Sequence, residues 1–414
     1  MRRPSPPFAA LRRPSPPFAA LRRPSPPFAA LLSLLSITVA HAQIDTLASF
    51  NGTDGASPVV NPIIGGSTLY GTTLSGGVNN NGTVFSVPIS GGTPTTLTTF
   101  NGFSDAYPHT ALILTGSTLY GTTLSGGTYD DGTVFSLPIS GGSPTILATF
   151  NGTNGQSPSS ITLSGNTLYG ATWDGGANDA GTIFSVPVTG GTISTLATFN
   201  STNGSAPSGN LTLIGNNLYG TSRYGGANND GSIFSVPVTG GTITTLASFN
   251  GTNGKISFSG ITLSGSTLYG TTYEGGSKGY GTVFSVPLSG GAITTLANFN
   301  NSNGANPQAG LTLVGSTLYG TTTTGSGAGA EGTLFSIPLT GGTITTLADF
   351  TGPNGGAPSS NLNLINNALY GTTINGGANN DGTVFAIAVP EPSIWALLLG
   401  GLGLLAFGRA RRRV

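Results

Sequence analysis

The chain has 414 residues, 68 of them Gly and 27 Pro, and only 6% are charged, against roughly a quarter in ordinary soluble domains. It contains no Cys, which excludes disulfide staples, thiolate nucleophiles and thiolate metal sites. The formal net charge of zero hides a segregation. Between Gln43 and Val389 only Arg223, Lys255 and Lys278 oppose twelve Asp and Glu, a net charge of −9, and nucleic-acid binding, which needs a basic stripe, is excluded there.

The N-terminus reads RRPSPPFAAL three times, and the third copy runs into an apolar stretch from Ala29 to Ala40 that ends in Ala40-His41-Ala42. Basic region, apolar core and a small-x-small exit predict a secretory signal peptide over residues 1–42. The decapeptide triplication itself carries no assignable function.

From there three landmarks recur seven times at spacings of 49 to 51 residues. A Leu-x-x-Phe block ends at Phe50, Phe100, Phe150, Phe199, Phe249, Phe299 and Phe350. A Leu-Tyr-Gly block holds Tyr70, Tyr120, Tyr169, Tyr219, Tyr269, Tyr319 and Tyr370, although the last is reached through Ala368-Leu369. A Gly-[Thr/Ser]-apolar-Phe block holds Phe85, Phe135, Phe184, Phe234, Phe284, Phe335 and Phe385. In the unit from Ile261 to Phe299, Gly, Asn and Ser punctuate four runs rich in Thr, Leu, Val, Ile, Tyr and Phe, which predicts four short strands. Ser264-Gly265 and Gly290-Gly291 suit tight hairpins, and no segment keeps helical period.

Four antiparallel strands per unit of about 50 residues predict an all-β fold, a seven-bladed β-propeller over residues 43–389. The phase of the array sharpens this. It opens with a spare Leu-x-x-Phe strand at Asp45 to Phe50 and stops one strand short after the seventh Gly-Thr-Val-Phe, so the N-terminal strand is expected to complete the last blade and leave no open edge. The alternative is a β-solenoid, which has no use for such a permutation.

The C-terminus, residues 390–414, presents Pro390-Glu391-Pro392, an apolar run over 394–408, and an Arg cluster ending at Arg413. At about 1.5 Å per residue the run forms a short transmembrane helix at most, with the Arg cluster held on the cytoplasmic side. This order resembles the PEP-CTERM sorting signal, in which an exosortase recognises the Pro-Glu-Pro tail and removes the helix. The resemblance implies export, transient inner-membrane anchoring through residues 394–408, and a surface or extracellular destination. The repeat, through its Leu-Tyr-Gly-Thr-Thr, Gly-Gly and Gly-Thr-Val-Phe-Ser elements, resembles the bacterial GloVer tandem repeat over about residues 44–389. That resemblance implies surface or secreted placement and supplies no catalytic residues.

Equipment for catalysis is sparse. His109 is the one histidine of the array, so with no Cys and no Ser in a nucleophile-elbow setting a Ser/His/Asp or Cys/His apparatus would have to rest on that single imidazole, and after Pro108 it reads as a solvated loop residue. Glu274 and Glu331 are the only glutamates there and sit at different loop positions. Asp130, Asp131, Asp179, Asp230, Glu331 and Asp381 precede the Gly-Thr-Val-Phe strands. Their oxygens suit calcium, but Asn-Gly and Asp-Gly also serve as turns, and copies one and five carry Asn79-Asn80-Asn81 and Lys278-Gly279-Tyr280 instead. The expectation is therefore turns at these positions, no catalytic set, no metal site and no cofactor, with calcium as the weaker alternative.

One deviation from the repeat stands out. The two residues before the first Gly-Gly are bland in copies one, two, six and seven, whereas copies three to five carry Trp173-Asp174, Arg223-Tyr224 and Tyr273-Glu274. Aromatic planes beside fixed polar groups suit sugar rings, so these six are the candidate ligand site. The reading that fits best is an exported, matrix-associated module, non-catalytic, that binds an extracellular polysaccharide or another surface partner. The alternatives are a secreted lyase or glycosidase using loop carboxylates, or a purely structural matrix protein.

Overall fold

Short runs of β-branched and aromatic residues between Gly and Asn turns leave no room for helices. The computed structural model describes residues 42–326 and 329–389, and these hold thirty strands and no helix. The strands form seven antiparallel sheets, six of them built from consecutive segments and the seventh shared between the two ends of the array. The third blade shows the plan, with Gln156–Ser164 innermost, followed by Thr167–Asp174, Thr182–Pro187 and Ser194–Thr198. Its central register pairs Leu168 with Val186 and Gly170 with Phe184. In the second and seventh blades the innermost strand is broken into two short pieces, Ala106–Pro108 with Ile113–Thr115 and Gly356–Pro358 with Asn363–Ile365. The array is a seven-bladed β-propeller, as its period requires.

The first hairpin of each blade turns on a residue with positive φ, supplied by Gly in six copies (Gly265, +59°). The seventh copy substitutes Asn366-Asn367, both at positive φ. Asn is the residue besides Gly that visits this region most readily, so the turn survives the exchange.

Closure is made by the N-terminal strand. Asp45–Ser49 pairs antiparallel with Thr383–Ala388, matching Asp45 to Ala386 and Ser49 to Thr383, with a register irregularity between Thr46 and Ala48. The outermost strands of the other six blades carry the same irregularity, for example between Ile183 and Phe184. The strand is thus a full equivalent of the missing fourth strand. This excludes the solenoid and removes the exposed edge that would template aggregation.

The core lies between blades, in seven equivalent clusters. Ile233 and Phe249 of the fourth blade pack on Leu268, Phe284 and Val286 of the fifth, and Ala48, Phe50 and Val384 of the seventh pack on Leu69, Phe85 and Val87 of the first. Each interface contains one edge-to-face aromatic pair, such as Phe249–Phe284 at 5.1 Å and, across the closure, Phe50–Phe85 at 4.8 Å. Burying a Phe stabilises by about 1.5–3 kcal/mol, and the edge geometry adds roughly 0.5–1.5 kcal/mol. The glycine of Leu-Tyr-Gly makes room for this ring: a Cβ at Gly270 would stand 2.7 Å from Phe284 Cζ.

Low charge is reconciled with a satisfied interior by buried hydroxyls. Thr272 and Thr282 share a hydrogen bond of 2.9 Å, and Thr282 N–H donates to Thr272 Oγ1. The pair recurs in every blade. In the fourth both members are Ser, Ser222 and Ser232, still 2.9 Å apart, so the two positions change together.

No helix of the described residues is long and apolar enough to cross a membrane. The expected signal-peptide core and the segment from Pro390 through the 394–408 run lie outside the described residues.

Candidate functional site at the propeller axis

At the start of each innermost strand, or a few residues before it, stands a non-glycine residue at positive φ: Ser57, Tyr107, Ser157, Ala206, Ile256, Asn306 and Ala357, all between 50° and 58°. Six of them precede Pro, which itself restricts the backbone. The left-handed conformation costs on the order of 1–2 kcal/mol per residue. It is held in place because each N–H donates to a carbonyl of the preceding blade, as in Ile256 to Asp230 at 3.0 Å and Ser157 to Asp131 at 2.9 Å. The kink sends the side chain two positions on to the axis. Each blade thereby contributes one residue to a central ring: Val59, His109, Ser159, Ser208, Phe258, Gln308 and Ser359. The ring surrounds a cavity of about 180 Å³, to which Trp173, Arg223 and Ile374 add side chains from the second strands.

Blades two to five give this cavity a continuous cationic and aromatic wall. The Arg223 guanidinium lies between two rings, with Cζ 4.3 Å from the Trp173 centroid and 4.4 Å from that of Phe258. His109 meets Trp173 edge-on at 4.7 Å, and Phe258 meets Tyr273 edge-on at 5.2 Å. The arc contributed by blades six, seven and one brings amides, hydroxyls and aliphatics, including Gln308, Asn361, Asn61, Val60 and Ile374.

Three polar atoms of the cationic wall are buried without a hydrogen-bond partner: His109 Nδ1, Trp173 Nε1 and Arg223 Nε. Among the described residues Arg223 forms no ion pair, whereas Lys255 is bound to Glu274 at 2.9 Å. Two cation–π contacts contribute roughly 1–4 kcal/mol together, comparable to the several kcal/mol that withdrawing an unpaired charge from water costs. Burial pushes the Arg223 guanidinium down from its ordinary value, with Tyr224 and Asp174 opposing the shift. His109 borders the cavity but is otherwise enclosed by protein. Burial first, and the nearby Arg223 charge second, lower its pKa to about 4, so it is neutral near pH 7. The solvated loop histidine expected from the sequence is in fact an axial wall residue.

The six candidate residues divide. Trp173 and Arg223 line the cavity, and Tyr273 touches it only through Phe258. Asp174 and Tyr224 are the last residues of their strands and are exposed, and Glu274 is engaged by Lys255. Strand alternation explains the split, because neighbouring residues point to opposite faces. Trp173-Asp174 and Arg223-Tyr224 end regular strands, whereas Tyr273-Glu274 follows the end of its strand at Thr272. His109 and Phe258 were missed. One follows Tyr107-Pro108 and the other Ile256-Ser257, so no shared local motif marks them as axial.

Two members of the acidic set before the Gly-Thr-Val-Phe strands are used locally. Asp130 and Asp179 have φ of 60° and 52° and accept from Gly126 N–H at 2.8 Å and Gly175 N–H at 2.9 Å. Asn80, Asn229 and Asn380 do the same at their positions. Among the described residues no cluster of three His, Asp or Glu side chains is placed to hold a metal ion.

Fold and site together define a closed seven-bladed propeller with a repeated scaffold and a divergent axial cavity. The sequence profile of the Gloeobacter/Verrucomicrobia repeat matches residues 33–166, 118–330 and 264–398. The chain belongs to that repeat family. The PEP-CTERM protein-sorting motif matches residues 388–413, including Pro390, Glu391 and Pro392, and marks an exported protein sorted to the cell surface as a substrate of exosortase. No curated protein sequence matches the chain. Among solved structures, the computationally designed Ika8 protein is similar at 15% identity and a TM-score of 0.52, over 83% of this chain and 99% of that one. An oligogalacturonate lyase in complex with manganese is similar at 13% identity and a TM-score of 0.51, over 86% and 94%. A Mycobacterium tuberculosis puromycin-hydrolyzing peptidase is similar at 14% identity and 0.51, over 84% of this chain and 55% of that one. At such identities the likeness is one of fold alone.

Proposed function

We propose that this exported, surface-sorted propeller is a non-catalytic binding module whose ligand is an extracellular carbohydrate, held at the axial cavity. The observation that carries this reading is the convergence of three unpartnered polar atoms, on His109, Trp173 and Arg223, at one cavity. Buried polar groups are ordinarily paired, and a sugar ring offers both the hydroxyls that pair with them and an apolar face for the aromatic wall. Trp173 and Arg223 are the contact residues among the six candidates, with Tyr273 supporting Phe258 from behind.

In this reading a signal peptide is removed after Ala42, the 394–408 helix anchors the chain transiently in the inner membrane, and exosortase then releases it to the surface or matrix. The full-length protein passed over an immobilised panel of extracellular polysaccharides should be retained without releasing products. Soluble oligosaccharide products would instead make it an enzyme, and passage without retention would leave it a structural element of the matrix.

A further inference from the structure

Within the array the three basic residues have different fates. Lys255 is neutralised by Glu274 at the surface, Lys278 is exposed, and Arg223 alone is carried to the axis. The array is acidic overall, yet none of the residues lining the cavity is Asp or Glu. The charge is thus inverted at one place, and among the described residues the cation there forms no ion pair.

Resting on the carbohydrate-binding reading, we infer that the axial cavity takes a carboxylate-bearing sugar ring, a uronic acid at a chain end or branch. Arg223 receives the carboxylate, while Trp173 Nε1 and His109 pair with ring oxygens. Trp173 and Phe258 cover the faces of the guanidinium and its Nε–H is itself buried, so the terminal edge of the fork is the part that meets a ligand. A planar fork presented edge-on matches a planar carboxylate through two parallel hydrogen bonds. A cavity of about 180 Å³ is of single-ring size, since one of about 150 Å³ accommodates benzene. It admits the end of a chain and not its middle. The opposite arc offers Asn61, Asn361 and Gln308 to ring hydroxyls and Val60 and Ile374 to an apolar ring face.

Calorimetric titration of the full-length protein with glucuronate, glucose and inorganic phosphate tests this. Glucuronate should bind at least tenfold more tightly than either of the others. Arg223→Met should weaken glucuronate at least tenfold and leave glucose unchanged, with melting showing that the variant is folded. If that variant unfolds, Trp173→Phe, which keeps an aromatic face and removes only the N–H, should cost threefold or more. Equal binding of glucose, equal binding of phosphate, or indifference to both substitutions would overturn the inference. Retention on neutral and acidic polysaccharides alike would overturn it while leaving the binding reading in place. Failure of every polysaccharide to be retained would instead overturn the binding reading, even with free glucuronate bound.

Discussion

The blade interfaces and the axial wall are built by opposite rules. At the interfaces the same Phe–Phe edge pair recurs seven times with centroids between 4.8 and 5.3 Å, and the rings are fully buried. At the axis the equivalent positions hold Val, His, Ser, Ser, Phe, Gln and Ser, and buried polar atoms are left unpaired. Where every copy must perform the same packing task, deviation costs stability in each blade alike. Where the copies meet around one cavity, each side chain faces a different neighbour and nothing requires sameness. Repetition therefore marks what holds the ring together, and divergence marks what the ring presents.

That contrast can be broken most severely at the closure. Deleting residues 45–50 removes the fourth strand of the last blade together with Phe50, opening an apolar edge and the first interface at once. The expected result is aggregation or loss of the cooperative melting transition, measured by calorimetry and light scattering; a monomer melting as before would mean that the ring does not depend on this strand. A single interface should show a graded version. Phe284→Ala should destabilise by about 3–5 kcal/mol, read from denaturant unfolding, whereas Phe258→Ala at the axis should cost clearly less because its ring borders a cavity. Equal losses would erase the distinction.

A smaller effect is expected from pH. The folded-state pKa of His109 is depressed from an ordinary 6.5 to about 4, so folding favours the neutral ring. The stability this contributes is present above about pH 6.5 and is lost as pH falls through the folded value. The loss amounts to at most about 3 kcal/mol. His109→Ser, which places at this position the residue found in three other blades, should flatten the stability profile between pH 6.5 and 4. An unchanged slope would place the histidine in water.

Much of the scaffold was legible because it is periodic. The landmarks at Tyr70, Phe85 and Phe50 and their six repeats give strand number and blade number, and the misplaced phase of Asp45 to Phe50 gives the closure. Trp173 and Arg223 were legible as departures from the repeat. Their partners were not. His109 and Phe258 lie about 65 and 35 residues away from those two in sequence, and nothing local says that the residue after Pro108 or after Ser257 turns inward. That direction comes from positive φ at Tyr107 and Ile256, fixed by carbonyls of the preceding blade. Such a constraint exists only once neighbouring blades have packed. The Trp173-Asp174 and Arg223-Tyr224 pairs likewise looked like units, but strand alternation sends one member to the cavity and the other to solvent.

The most direct measurement is made on a regularised ring, in which the divergent wall is replaced by residues the other copies already use: His109→Ser, Trp173→Leu, Arg223→Leu and Phe258→Ser together. Thermal melting and retention on the polysaccharide panel are followed side by side with the unaltered full-length protein. The regularised protein should melt within a few degrees of the parent and lose retention altogether. Retention at the parent's level by a folded regularised ring would contradict the assignment of function to the axial wall.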